Sequence, residues 1–138
     1  MNIRIFKAVI KKYLLHISII SFFIIVSFSF YIAGQIYHKE IKENEAFTTG
    51  QITGYKSIRG AYSLRYTYTV NGTTYKNIGS PMRIAAENYK YFKGKYFPVV
   101  YSKINPYKNS ILIEPYNFEY WGLRYPDSLE WVKGYLYF

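Results

Sequence analysis

The spacing of apolar and polar residues changes once along this chain, and the change divides it. Residues 13–37 contain no Lys, Arg, Asp or Glu. The centre of that run, 14–32, holds 13 Leu, Ile, Val or Phe residues among 19. As a helix it is about 28 Å long, close to the thickness of a bilayer's hydrocarbon core. Thirteen such residues favour insertion by about 4–8 kcal/mol before the serines and His16 are counted. The pattern predicts one membrane-spanning helix over 13–37. A cleaved signal peptide is the rival reading. Its apolar region is normally shorter, and the small pair Ala33-Gly34 has Tyr31 and Ile32 upstream where a small residue is required. An uncleaved anchor is therefore expected.

From Phe47 onward the period is two. Residues 47–55 read as a first strand, with Gly50 and Gly54 marking bulges or tight bends. Residues 57–60 read as a loop. Tyr62, Leu64, Tyr66, Tyr68 and Val70 then alternate with Ser63, Arg65, Thr67 and Thr69, which gives one apolar and one wet face. Asn71-Gly72 follows, the residue pair that a type I′ hairpin turn favours, and 73–78 returns as the partner strand. Pro81 and the Ile84-Ala85-Ala86-Glu87 stretch predict a short helix within 81–92. Lys93-Gly94-Lys95 turns the chain into a fourth strand, 97–101, where Pro98 implies a sheet edge or a strand start. Asn105-Pro106 makes another turn, before a fifth strand at 110–113. Asp127 and Glu130 have capping-box spacing, which predicts a helix over about 128–133.

The expected fold is a single N-terminal transmembrane α-helix plus a small mainly-β domain. That domain has about five antiparallel strands in a partly open barrel of OB or SH3 size, with a short C-terminal helix. The divisions are a basic tail (1–12), the span (13–37), a charged juxtamembrane linker (38–46), the barrel (47–114) and an aromatic extension (115–138). Tyr120, Trp121, Tyr125 and Trp131 in that extension are expected either to close the barrel's open side or to sit at the membrane interface.

Charge adds an orientation. The net charge is +10. The tail carries Arg4, Lys7, Lys11 and Lys12, against Lys39 and Lys42 on the other flank of the span. The excess of Lys and Arg before the span predicts a cytoplasmic N-terminus and a domain that is periplasmic or extracellular. Ile3, Ile5, Phe6, Val9 and Ile10 make the tail an amphipathic flank suited to anionic lipid heads. Within the span, Ser29 and Ala33 form a small-xxx-small pair that predicts weak self-association through the helix. His16, two residues inside its edge, reads as neutral or snorkelling.

Candidate chemistry is sparse. There are no cysteines, so stability must come from packing, and thiol catalysis and thiolate metal sites are excluded. No His follows His38. Neither a Ser-His-Asp triad nor a His-based metal site can be assembled within 47–138. The acids there are Glu87, Glu114, Glu119, Asp127 and Glu130. A paired-carboxylate glycosidase would need two of them in a deep cleft, for which so small a barrel has little room. No enzyme and no cofactor are expected. One cluster stands out. Lys90, Lys93 and Lys95 are interleaved with Tyr89, Tyr91, Phe92 and Tyr96. Together with Trp121 and Tyr125, this is the candidate interaction surface. In a cytosolic protein it would suggest nucleic acid. On a domain outside the cytoplasm it suggests no nucleic acid, but an envelope protein, lipid heads or an anionic polymer. The plain reading is a solvated loop that keeps a Tyr-rich domain soluble.

A family resemblance is carried by G-Q-I-T-G at 50–54, Y-T-Y-T-V-N-G at 66–72 with Tyr75, K-G-K at 93–95, V-V-Y-S-K-I-N-P at 99–106 and S-I-L at 110–112. This set resembles the domain of unknown function 3592 family, over about half the chain. The resemblance implies a β module beside one or more transmembrane helices. It implies no catalytic residues, since that family has no established activity. Where the family often has a proline or an acid after V-x-Y, this chain has Ser102-Lys103. The expected function is a non-catalytic protein-interaction module held at a membrane. The alternatives are an immunity-type or accessory protein of an envelope toxin or enzyme, and a glycan- or peptidoglycan-binding module.

Overall fold

The computed structural model describes residues 3–58, 61–79 and 83–137, and of residues 3–12, 15, 58 and 61 it describes the backbone only. The tail's side chains, part of the 57–60 loop and Pro81 as a helix start lie outside the described residues. The chain forms two compact units, Met1–Lys39 and Glu40–Phe138.

The first unit is helical throughout its described length. It is the greater part of α1, Ile3–Glu43. Its apolar section falls within His16–Glu43, where the mean hydropathy reaches 2.2 and none of the most apolar window is buried. One helix near the N-terminus is thus long and apolar enough to span a membrane. Two of the serines that interrupt it are satisfied locally. Ser18 and Ser29 each donate to the carbonyl four residues back, Leu14 and Ile25, at 2.9 Å.

The charged stretch expected as a linker at 38–46 is not one. α1 continues to Glu43 and the first strand begins at Glu45. Lys39, Glu40, Lys42 and Glu43 are good helix formers, and Ile41 is fully buried within the domain.

The second unit is built on one antiparallel sheet of five strands in the order β3-β2-β1-β4-β5. These are β1 Glu45–Ile58, β2 Ala61–Val70, β3 Thr73–Gly79, β4 Tyr96–Ser102 and β5 Asn109–Ile111. The long β1 is central. Its first half pairs with β4, Glu45 with Ser102 through Gln51 with Tyr96, and its second half pairs with β2. One bulge, between Ile52 and Gly54, bends it. The Thr53 hydroxyl there donates to the Arg65 carbonyl at 3.3 Å. Gly50, also expected at a bulge, pairs regularly. A Cβ at Gly50 would lie 2.7 Å from Val99 Cγ2, so its role is close approach inside the curved sheet. The hairpin turn is as expected: Asn71 and Gly72 have φ of 49° and 77°.

β4 is an interior strand, which corrects the edge expected from Pro98. The Pro98 carbonyl accepts from Leu112 N–H at 2.8 Å, so its ring nitrogen faces the β5 side. The paired residues there are Val99 to Tyr101, so the proline falls just past the end of the ladder, where only one bond of the next pair is made.

The apolar face of β2 is buried as the alternation requires: Leu64, Tyr66, Tyr68 and Val70, joined by Ile52, Phe97, Val99 and Ile111. Val99 and Val100 are both fully buried, so β4 is covered on both faces. The C-terminal extension contributes Phe118, Leu129 and Val132 to this packing. It contains α2, Pro115–Tyr120, and a 3-10 helix, Asp127–Tyr135. The capping box is at α2. Glu114 accepts from the Asn117 backbone, and Asn117 Oδ1 accepts from Glu114 N–H at 2.9 Å. Asp127 and Glu130 do not cap; they pair with Arg124 and Lys133 at the surface.

The sheet curls into a half-barrel, and side chains bridge its two edge strands. Asn77 of β3 donates to Asn109 Oδ1 of β5 at 3.0 Å, and Tyr66 donates to the same oxygen at 2.5 Å. Asn109 Nδ2 donates to the Tyr68 hydroxyl at 2.6 Å and to the Tyr107 carbonyl at 2.8 Å. Asn109→Ala leaves buried hydroxyls with lost partners and is expected to cost about 2–4 kcal/mol. Denaturant unfolding of the full chain in detergent, followed by tyrosine near-ultraviolet dichroism, measures this. A loss below about 0.5 kcal/mol would show that the bridge is incidental.

Candidate interaction surface

A 3-10 helix, Ala86–Phe92, leads through Lys93-Gly94-Lys95 into β4. Its side chains divide by direction. Tyr89, Phe92 and Phe97 point inward and are buried, while Lys90, Tyr91, Lys93, Lys95 and Tyr96 are exposed. Two backbone bonds pin the turn to β1: Gly94 N–H donates to Ile52 O at 2.7 Å, and Ile52 N–H to Lys95 O at 2.9 Å.

The structure keeps five of the eight expected surface residues together and removes three. Tyr89 is an anchor: it is 3% exposed, and its hydroxyl donates to Tyr62 O at 3.0 Å. Burial raises its pKa, with Tyr137 and Glu114 adding to the effect. Tyr125 is a brace. Its hydroxyl donates to Leu129 O at 2.7 Å, and its ring meets Phe118 edge-on at 5.1 Å. Trp121 belongs to another part of the domain, 5.8 Å from Lys42 Nζ. Tyr120 lies beside it, 4.5 Å from the same nitrogen.

In their place the extension supplies Trp131 and Tyr135. Trp131 rests on Phe92 and Phe97 at ring distances of 5.4 and 6.1 Å. Lys95 Nζ lies 5.8 Å from its ring. Tyr135 packs on Tyr91 at 5.0 Å, and Lys90 Nζ sits 5.0 Å from Tyr91. These are cation–π distances. The result is a compact patch of three lysines and partly exposed rings, with Tyr96 62%, Tyr91 46% and Trp131 37% exposed. Trp131 was expected either to close the barrel's open side or to sit at the membrane interface, and nothing near it or Tyr135 in sequence is basic except Lys133.

The patch lies far along the sheet from the domain's first strand residue. Glu45 opens β1, whereas Tyr96 pairs with Gln51, six residues and about 20 Å further on. Among the described residues of the domain, concavities lie elsewhere. One of about 200 Å³ sits at the seam between Gly79 and Ile111. An open one of about 690 Å³ lies on the wet face of the sheet, with Arg65, Lys76, Thr53 and Thr67 around it. No group of three or more His, Cys, Asp or Glu able to hold a metal exists among the described residues. Comparison of the chain with protein-family models, curated proteins and solved structures gives no match.

Tyr125 provides a pH test of the brace. Burial, then Glu130, then Glu114 push its pKa up to about 12 from 10.0. The folded state therefore holds the proton more tightly than the unfolded chain. The stabilisation is complete below pH 10 and is lost between about pH 10 and 12. Tyr125→Phe is expected to flatten that part of the stability profile, measured by unfolding across this range. An unchanged alkaline slope in the variant would assign the loss to other groups.

Proposed function

We propose that this chain is a single-pass membrane protein with a cytoplasmic N-terminus. Its 40–138 domain acts outside the cytoplasm as a non-catalytic protein-interaction module. Membership of the domain of unknown function 3592 family is part of the same proposal, carried by the 66–75 hairpin and the Asn105-Pro106 turn. The observation that carries the reading is the Lys90/Lys93/Lys95 patch with Tyr91, Tyr96 and Trp131. Partly exposed aromatic rings flanked by cations are a common composition of protein interfaces. The patch is also built on buried anchors and a backbone-pinned turn, so its geometry is preorganised before a partner arrives. The partner class is an envelope protein with an acidic contact surface.

Two measurements test this. A topology reporter fused after Phe138 is expected to report the non-cytoplasmic side; a cytoplasmic signal would overturn the orientation. Partners captured from membranes with the full chain are expected to be lost when Lys90, Lys93 and Lys95 are all changed to Glu. Three contributions of about 0.5–1 kcal/mol each amount to about a 10- to 100-fold weaker complex. Capture that is indifferent to the triple substitution would move the interface elsewhere. Retention of cell-wall polymer instead of protein would favour a glycan-binding module.

A further inference from the structure

We propose that the end of the domain that holds residues 40–44 is a lipid-docking collar, seated on the headgroup layer of the bilayer that α1 crosses; this rests on reading α1 as a membrane span. Two elements make the collar: the 103–108 loop and the C-terminal end of α2.

Chain connectivity sets the depth. The uncharged run ends at Tyr37, and the helix continues to Glu43. Glu40 and Lys42 lie three and five residues on, about 4.5 and 7.5 Å along the axis. The headgroup region of one leaflet is about 5–7 Å thick. Both collar elements are tied to these residues. Lys108 forms an ion pair with Glu40, and Lys103 N–H donates to Asn44 O at 2.8 Å. Lys42 Nζ lies over the rings of Tyr120 and Trp121 at 4.5 and 5.8 Å. Positions 40 and 42 are about 200° apart around a helix, so the two elements flank its last turn on opposite sides.

The chemistry fits a lipid surface. Ile104 and Tyr107, at the tip of the loop, are 70% and 74% exposed, among the most exposed apolar side chains of the domain. Lys103 and Lys108 bracket them, and of these Lys108 is paired with Glu40. Tyr107 is held in place by an edge-on contact with Tyr75 at 5.1 Å. Such an apolar tip inserts its side chains and leaves the Lys103 charge among phosphates. Tyr and Trp rings concentrate at the same depth. The domain's other tryptophan, Trp131, is on the far patch and stays in water.

The two tryptophans make the test. The full chain is reconstituted in phosphatidylcholine–phosphatidylglycerol vesicles, with and without bromine on the acyl chains near the headgroups. Trp131→Phe leaves Trp121 as the sole reporter, and Trp121→Phe leaves Trp131. Bromine is expected to reduce Trp121 emission about twofold or more, as a ring at the headgroup level requires, and Trp131 emission by less than about a tenth. Adding Ile104→Asp and Tyr107→Asp, both at exposed positions, to the Trp131→Phe chain is expected to relieve the quenching. Equal quenching of both reporters, or none of Trp121, overturns the collar. An alkaline wash separates the two readings. If the chain stays in the vesicles while Trp121 is unquenched, the span stands and the collar fails. If the chain washes off, both fail.

Discussion

An open five-stranded sheet leaves two edges, and in this domain one buried amide joins them. Asn109 is 5% exposed, and its side chain bonds to β2, to β3 and to the loop before β5. No backbone ladder links β3 to β5, so the curl of the sheet depends on side-chain bonds made in a low-dielectric interior. There each bond is stronger than in water, and each missing one is more costly. The same residue fixes the 103–108 loop, because its Nδ2 donates to the Pro106 and Tyr107 carbonyls. The Tyr68 hydroxyl, which accepts from that nitrogen, itself donates to Pro106 O at 2.5 Å. A core network thereby determines where an exposed loop stands. With no cysteine to staple the chain, this network and aromatic packing do what disulfides do in other domains of this size.

Tyrosine performs several tasks here, and position alone decides which. Tyr66 and Tyr68 are core residues whose hydroxyls are satisfied by Asn109. Tyr89 and Tyr125 are braces that donate to carbonyls. Tyr91 and Tyr96 present their rings to solvent beside lysines. A phenol suits all of these because its ring gains from burial while its hydroxyl must find a partner or water. A count of 18 tyrosines therefore does not reveal how many are available to a partner.

Much of the strand layout was legible. The β2–β3 hairpin declared itself through strict alternation and Asn-Gly, and each strand was located to within one to three residues. What failed was anything that depended on a distant segment. Pro98 signalled an edge or a strand start; it stands near the start of β4, which is interior because β5 pairs along its other side. Tyr89 sat among lysines in sequence, yet a 3-10 turn aims it inward. The spacing of Asp127 and Glu130 matched a capping box as well as any, while the working one is Glu114 with Asn117. α2 had signals of its own: Pro115 at its first position, and Gly122 just past its end, where Gly122 and Leu123 N–H close on Glu119 and Phe118 carbonyls. Local spacing cannot say which backbone amide will be left unpaired.

By itself the sequence determined an apolar helix of bilayer length, an antiparallel β domain and the lack of thiol and histidine chemistry beyond residue 38. These are properties of composition and period, which survive in any arrangement of the chain. Only the tertiary structure decided which aromatics are core and which are surface. It also brought Trp131 beside Lys95, and Lys42 beside Tyr120 and Trp121. Such pairings join residues 36 to 79 positions apart in the chain. Their geometry follows from how the sheet curls, and no short window of residues encodes that.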